Sequence, residues 1–576
     1  MIDSSAGPAT LTMTVGGPAP VVLLDYGREV GGVPQFDVIA ATGAPVLHAA
    51  YSESATYATA AGDGASMFPH SGVDPRRVDD YLVTGAGPID NRLVQGGQRY
   101  QYLTLTTPGS ITLRNTNIRF TAYRATPEQY QGWFLSSDDQ LNKIWYSGAY
   151  TAQLGMVPTD APDGGPQPVI LDGGKRDRMV WIGDLLQTIP TILDSLGTNG
   201  QPYVKGSLAA FSAGQYPLVG MIPGFGAPNG PLLPYSASYS IYYVLDLAAY
   251  YLRSGDTAFV RDQYSAVARE LAFNRAMINP ATGLLVVPPL LGADWDVYDL
   301  VKTGAVTEVN TLYFKALLDG ADLADAAGHA DDASAYRTQA AQLREAINAQ
   351  LFNPATGAYD ISDTTRGPIA QDANAIAVLF GVAPPDHAST ALAALRTTLW
   401  TPHGTSPFSP DARFDARISP FIGGYEVQAR LAAGDTDAAL TLMRTEWGQM
   451  VAPGPQYTGT NWESLNPDGT VADGTISLAH GWSTGPTPAL TEYVLGIAPA
   501  SPGYQTWTLT PHPGDLTWAR GQVPTPHGPI TVSWTRDGDQ LTIAVTAPDD
   551  TTGTIRIPGT TRDLNNVHTG TYTIAC

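Results

Sequence analysis

The sequence predicts a mainly α protein with β accessory domains: an (α/α)6 barrel of six helical hairpins, flanked by N- and C-terminal β-sandwiches. Three observations predict it. The hydrophobic period changes from two to that of a helix near Ser136 and back again near residue 500. About twelve helical runs lie between those points. Short Gly-Asp punctuation, as in Ser254-Gly255-Asp256, Gly328-His329-Ala330-Asp331 and Gly434-Asp435, joins several of them into antiparallel pairs, with Gly ending one helix and Asp capping the next.

Residues 1–132 carry short alternating or apolar runs, Val21 to Leu24, Gln101 to Leu105, Ile111 to Leu113 and Ile118 to Ala122, separated by Gly, Pro, Asn and Asp turns. A β-sandwich is the economical reading. Residues 133–499 form the barrel. Ser136-Ser137-Asp138-Asp139 caps a run with Leu141, Ile144, Trp145 and Tyr150 at helical spacing. Further helices are expected near 179–195, 201–213, 237–254, 257–277, 308–328, 331–351, 370–381, 387–399, 420–433, 435–450 and 479–497. The loop Asn-Pro-Ala-Thr-Gly occurs at Asn279–Gly283 and again at Asn353–Gly357, a weak sign of a structural repeat. An α-solenoid competes with the barrel. The long loops 214–236, 280–307 and 451–478 favour the barrel, because enzymes build sites on such loops. Residues 500–576 return to strands, with Asp537-Gly538 marking a hairpin turn.

Composition narrows the function. Hydrophobic residues make up 43% of the chain and no apolar run is long enough to span a membrane, so a large buried core is available. Acids outnumber bases 53 to 31, a net charge of −22 that repels nucleic-acid phosphates and anionic membranes, so neither is an expected partner. The one cysteine, Cys576, allows no intrachain disulfide and no thiolate zinc site, and the nine histidines form no H-x-x-x-H pair. No metal site and no cofactor are expected; a calcium site stays open, though no EF-hand-like run supports one. High Gly, Pro and Ala with few Lys suits a secreted protein. Met1-Ile2-Asp3-Ser4 does not begin a signal peptide, and a cytoplasmic location stays open.

Three acid-plus-tryptophan clusters fall on helix ends or loops of the barrel. The first runs from Asp172 to Asp184 and packs three acids, three cations and Trp181 into thirteen residues. If it is helical from Asp177 onward, Asp177, Trp181 and Asp184 share one face. Two acids and an indole are poor core material and good material for a sugar site; the plain alternative is a salt-bridged helix start. The second is Thr460-Asn461-Trp462-Glu463-Ser464, followed by His480 at the start of the last helix. Here the alternatives are a solvated loop acid and a histidine bonded to backbone. The third is Gly292-Ala293-Asp294-Trp295-Asp296-Val297-Tyr298, where Trp295 could stack on a sugar between acids, or simply be buried in an exposed loop. Glycoside hydrolysis needs two carboxyl groups across one bond, one protonated and one ionised. Asp177 or Asp184 on one side and Glu463 on the other supply such a pair.

With these residues in place, the helical region resembles the catalytic domain of the inverting α-L-rhamnosidases, six-hairpin glycosidases. The motif of that family, an Asp, an Arg, the general acid, a Trp, a Gly and an Asp, is matched in register by Asp172, Arg176, Asp177, Trp181, Gly183 and Asp184. Trp462-Glu463 matches its aromatic residue followed by the general base, His480 its sugar-binding His, and Trp295 its mid-barrel aromatic. Leu24–Gly32 resembles its N-terminal sandwich; Pro502-Gly503-Tyr504 and Gly514–Gly521 resemble the entry to its C-terminal one. The resemblance spans nearly the whole chain. It implies an exo-acting hydrolase releasing terminal L-rhamnose from a rhamnosylated glycoside or oligosaccharide. Asp177 would be the acid and Glu463 the base. Asp172, Arg176, Trp181, Asp184, Asp294, Trp295, Trp462 and His480 would bind substrate. One residue departs from the pattern: the acid of well-known members is Glu, and Asp177 is one methylene shorter. Relatives with the Lys-Arg-Asp-Arg form exist, and the change bears on the leaving group and the sugar.

For Asp177 to be protonated, Arg176 and Arg178 are expected to point away from it or to pair with Asp172 and Asp184. Loops 214–236 and 280–307, with apolar content such as Leu232-Leu233-Pro234-Tyr235, are expected to set the leaving-group pocket. Three other readings remain open from the sequence: the same fold acting on another sugar or as a uronate lyase, a non-catalytic carbohydrate-binding relative, and a solenoid scaffold.

Overall fold

A computed structural model describes residues 7–66, 68–296, 302–411, 413–557 and 563–575. Cys576, Val297, Tyr298 and Met1–Ser4 lie outside the described residues. Twelve α-helical stretches are present among the described residues, arranged as the helical barrel, with β domains on either side. No helix among them is long and apolar enough to cross a membrane.

The N-terminal sandwich is built on one 22-residue strand, Val21–Thr42. Its first part pairs antiparallel with Gly97–Leu105 and its second part with Gly109–Phe120, with a register shift between Asp25 and Val30. One bent strand therefore serves both layers. Between them lies a self-contained core of Leu11, Phe36, Val38, Leu47, Tyr51, Leu103 and Ile111 among others.

The barrel helices follow their punctuation in part: Asp331 falls inside the helix Ala330–Gln350, whose N-cap is His329, and Asp435 precedes Thr436–Glu446 without a side-chain capping bond. Asp138 accepts from the backbone N–H of Gln140 and Leu141 at 2.7 and 3.2 Å. Asp256 caps the helix Thr257–Arg275 through Phe259 N–H at 3.0 Å. Gly255 and Gly328 close the preceding helices in the left-handed region, at φ 66° and 88°. The two Asn-Pro-Ala-Thr-Gly loops form the same turn: in each the Asn side chain accepts from the Ala N–H two residues on, at 2.9 and 3.0 Å.

Two expected helices differ. The helix expected from 179 begins only at Leu185: Val180–Trp181 is a strand and Ile182–Asp184 a 3-10 turn. The helix expected at 479–497 is a 3-10 turn at Gly481–Thr484, a single α-turn at Pro486–Ala489 and a π-helical stretch at Leu490–Leu495. Pro486 and Pro488 each remove a backbone donor there, so a regular ladder cannot form.

The C-terminal sandwich pairs a five-stranded sheet with a four-stranded one. The edge of the larger sheet is Trp133–Ser136, which lies before the first barrel helix in sequence and pairs with Trp518–Val523. Trp534 Nε1 donates to the carbonyl of Val494 at 3.0 Å, and residues of this sandwich share one continuous core with the barrel. Apolar packing thus fixes the C-terminal sandwich to the barrel, whereas the N-terminal one keeps its own core.

Candidate active site

The loop from Asp172 to Asp184 is held by its own first residue. Asp172 Oδ2 accepts from Asp177 N–H at 2.8 Å and Oδ1 from Met179 N–H at 3.1 Å. These bonds tie the chain into a loop and compete with a helix. Arg178 adopts φ 57°, with its buried guanidinium on Asp163 at 2.7 and 2.9 Å and on the carbonyl of Gly174 at 2.6 Å. Asp177, Trp181 and Asp184 therefore do not share a helix face. They converge because the loop folds back over the barrel mouth.

The convergence forms a cavity of about 170 Å³ lined by Asp172, Arg176, Asp177, Trp181, Asp184, Trp295, Glu463 and His480, together with Phe68, Phe225, Tyr235, Tyr239 and Trp482. That size suits one six-membered ring, since a cavity of about 150 Å³ accepts benzene. One wall is aromatic: Trp181 stacks on Phe225 with centroids 4.2 Å apart and planes 9° apart, and Tyr235 and Tyr239 meet it edge-on. The acids line the same cavity, Asp184 bonded to the wall itself through Tyr239.

The arginines turn away from Asp177, the first of the two expected arrangements, and neither pairs with Asp172 or Asp184. Arg176 grips Glu463, Nη2 to Oε1 at 2.6 Å and Nε to Oε2 at 3.4 Å, and Arg178 takes Asp163. Asp172 is occupied by backbone donors, and Asp184 accepts from Tyr239 Oη at 3.2 Å. Asp177 receives Ser66 Oγ at 3.4 Å.

The two candidate catalytic acids are pushed in opposite directions. Burial, with the negative charge of Asp172 beside it and only partial relief from Arg176, raises Asp177 to about 7. Burial would raise Glu463 too, but Arg176, His480 and the N–H of Ser477 at 2.8 Å overcome it and hold that carboxyl below its ordinary value. Asp184 is raised well above its usual range by burial and by Asp172. Burial pushes the His480 imidazole down; its Nε2 lies 3.8 Å from Asp172 Oδ2, and its buried Nδ1 has no protein partner.

Two predicted site residues fall elsewhere. Trp462 is buried in the core, its Nε1 on Thr458 Oγ1 at 2.9 Å, and it does not line the cavity. Asp294 is buried against Lys302 Nζ at 3.1 Å and Ser238 Oγ at 2.9 Å, also outside the lining. Trp295 reaches the cavity while its Nε1 is anchored on Asp372 at 3.2 Å. Tyr235 belongs to the loop expected to set the leaving-group pocket, and it lines the cavity; Phe68, Phe225, Tyr239 and Trp482 were not picked out from sequence as site residues. The spacing Tyr235–Tyr239 at a helix start, and Trp482 two residues after His480, are the local signals that could have found Tyr239 and Trp482. Phe68 comes from the N-terminal sandwich and carries no such signal.

Two groups of side chains have ligand atoms close enough to hold a cation, within 4.8 Å of one another: Asp172, Asp184 and His480, and Asp294, Glu308 and Asp372. Lys302 already fills the second, at 2.6 Å from Asp372 and 3.1 Å from Asp294. In the first, both Asp172 oxygens are already taken by backbone donors.

Residues 129–406 match the six-hairpin glycosidase domain of bacterial α-L-rhamnosidases, and residues 496–571 match the C-terminal domain of the same enzymes, together more than half of the chain. The chain belongs to the bacterial α-L-rhamnosidase family. Glu463 and His480 lie between the two matched stretches. Among curated relatives, the α-L-rhamnosidase of Alteromonas sp. (strain LOR) is 26% identical over 229 residues, 38% of this chain and 23% of that protein. The α-L-rhamnosidase of Streptomyces avermitilis is 26% identical over 145 residues, 24% of this chain and 14% of that one. The matches thus span less than a quarter of those relatives. In three dimensions the chain resembles the GH78 family rhamnosidase of Bacillus sp. GL1, with a TM-score of 0.77 and 24% identity over 96% of this chain and 54% of that one. It also resembles the Streptomyces avermitilis α-L-rhamnosidase solved with L-rhamnose, with a TM-score of 0.67 and 18% identity over 98% of this chain and 53% of that one. These likenesses establish the rhamnosidase fold.

Proposed function

We propose that this chain is an exo-acting glycoside hydrolase that releases terminal L-rhamnose with inversion, Asp177 being the general acid and Glu463 the general base. The observation that carries the reading is the opposed charge states of two carboxyl groups in one cavity of single-ring size. Pairs of acids pushed apart by their surroundings are the mark of an acid–base couple. Asp177, raised to about 7, holds its proton at mildly acidic pH and can give it to the leaving oxygen. Glu463 is ionised there and can take a proton from a water attacking the anomeric carbon from the opposite face. Arg176 orients the base through two bonds while leaving the acid protonated. Asp184 and His480 offer groups for sugar hydroxyls, and Trp181 with Phe225 offers a flat wall for an apolar ring face. The family and the rhamnose-bound relative favour rhamnose over other sugars, and a rhamnosylated glycoside is the matching substrate class. No observation favours the lyase reading.

The test is hydrolysis of an aryl α-L-rhamnopyranoside by wild type and Asp177→Asn, with the anomer of the released sugar read by proton NMR. The expected outcome is turnover with inversion and a loss of at least about a hundredfold in the variant, the scale for removing a general acid. Retention of configuration would refute Glu463 as base. Sugar binding without turnover in wild type would identify a non-catalytic binding protein.

A further inference from the structure

The N-terminal sandwich meets the barrel through charge rather than through a shared core. Five ionisable side chains gather at the junction, all buried: Glu29, Glu53, Asp63 and Arg77 from the sandwich and Lys175 from the site loop. Lys175 Nζ lies 3.1 Å from Glu53 Oε2 and 3.5 Å from Asp63 Oδ2, and Arg77 Nε lies 2.6 Å from Asp63 Oδ1. Burial and the neighbouring Glu53 push Glu29 well above the carboxyl range, and burial raises Glu53 too. Gly97 is the price of this closeness: a Cβ there would fall 2.1 Å from Glu29 Oε1 and 3.0 Å from Glu53 Oε1.

Burying five charges costs much unless the geometry serves something. The bonds run to two places. Glu53 Oε1 accepts from Leu478 N–H at 3.0 Å and Ser477 Oγ at 3.3 Å, and the N–H of that same Ser477 donates to Glu463 Oε2 at 2.8 Å. Glu53 Oε2 holds Lys175, whose neighbour Arg176 grips Glu463 from the other side. The Lys175 N–H also donates to Ser477 Oγ at 3.3 Å, and its Nζ to the carbonyl of Gly474 at 2.8 Å. Both donors on Glu463 are therefore one step from a single carboxylate of another domain.

We propose that Glu53 is a positioning residue for the candidate base: through Ser477 and Lys175 it fixes the two loops that bring Arg176 and Glu463 together. The N-terminal sandwich is then part of the catalytic unit. This rests on Glu463 being the base. The groups facing Glu463 are Arg176, His480, Asp177 and Asp184; those facing Glu53 are Lys175, Asp63, Glu29 and Arg77.

The experiment uses the full chain and the aryl α-L-rhamnopyranoside, with Glu53→Gln, Glu53→Asp, Ser477→Ala and Glu463→Gln. In Glu53→Gln, kcat falls between about tenfold and a hundredfold, as expected for a small misplacement, while KM stays within about twofold. The acid limb of kcat/KM moves to higher pH, because Glu463 loses part of its hold on Arg176 and Ser477. Glu53→Asp restores part of the limb position. Ser477→Ala removes the hydroxyl link to Glu53 but keeps the Leu478 and Lys175 links and the Ser477 N–H on Glu463, and so shifts the limb the same way by less; it decides alone if Glu53→Gln does not fold. Overturning results are an unmoved limb in both variants, or a loss of activity that merely follows the folded fraction. Wild-type turnover that falls in Glu463→Gln and not in Glu53→Gln sinks the positioning role alone. A wild type that turns over no glycoside sinks both, since a base that does no work needs no positioning.

Discussion

Two loops of the barrel carry nearly the same chemistry in sequence, aspartates beside a tryptophan, and the structure treats them differently. In the loop Asp294–Asp296, Lys302 sits among the acids, 3.1, 3.0 and 2.6 Å from Asp294, Asp296 and Asp372. Burial opposes the charge on Asp294, but Lys302 and the bonds it accepts pull it below its usual value, and the cluster is closed. In the loop Asp172–Asp184 the cations have been diverted, Arg178 to Asp163, Lys175 to Glu53 and Arg176 to Glu463. Asp177 is left with a hydroxyl and a raised pKa at the edge of a cavity. Asp296 is raised to about 7 as well, so a raised carboxyl does not by itself separate the loops; Asp296 is held on Lys302 away from the cavity, whereas Asp177 lines it.

The comparison breaks most easily at its two most different members. Glu463→Gln is expected to lower kcat by about 10²–10⁴-fold with a smaller loss of stability than Lys302→Met, because Gln can still accept from Arg176 and from Ser477 N–H. Lys302→Met is expected to do the reverse in kind, costing about 3–5 kcal/mol of stability by stranding Asp294, Asp296 and Asp372 without their cation. Equal stability losses in the two variants would remove the distinction.

The pH dependence sharpens the contrast at Asp177. Its carboxyl titrates near 7 when folded and at the ordinary 3.8 when unfolded, so between those values the folded state holds the extra proton. Stability is then lost as pH rises from about 4 to about 7. Asp177→Asn lacks that loss and should be the more stable protein above pH 7, by a few kcal/mol at most, with no advantage below pH 4. Thermal melts of both proteins across this range check it. In the wild type, kcat/KM should show an alkaline limb near 7 from the same group.

The repeating parts of the fold were legible in sequence because they are written in local rules. Helix spacing, Gly-Asp boundaries and strand alternation depend on residues a few positions apart. The cavity was legible in part: Asp172, Arg176, Asp177, Trp181, Asp184, Trp295, Glu463 and His480 all line it. Their route there was not, because a side chain of Asp172 overrides the helical pattern with two backbone bonds. The partners of the arginines, Glu463 for Arg176 and Asp163 for Arg178, lie in the barrel region itself and carry no helical spacing that would mark them. Phe68 and Glu53 were beyond reach for another reason. They depend on a domain more than a hundred residues away in sequence folding over the barrel mouth. Trp462 and Asp294 show the opposite error: the right composition beside the right residue, facing the core.

The tryptophans separate the two kinds of aromatic position. Trp181→Ala removes the stack on Phe225 and the wall of the cavity, and should raise KM for the aryl rhamnoside by about threefold to tenfold, the scale of one aromatic contact. Trp462→Phe keeps most of the buried ring and loses the hydrogen bond from Nε1 to Thr458 Oγ1. Thr458 Oγ1 still receives Thr460 Oγ1 at 2.7 Å, so the acceptor is not orphaned, and the cost should be about 1 kcal/mol of stability. KM should not move, because the ring does not line the cavity. The residue still abuts Glu463 in the chain, so the informative readout is kcat. An unchanged kcat would show that the loop holds the candidate base through Arg176 and Ser477 and not through the indole. A fall of tenfold or more would place Trp462 among the groups that position it.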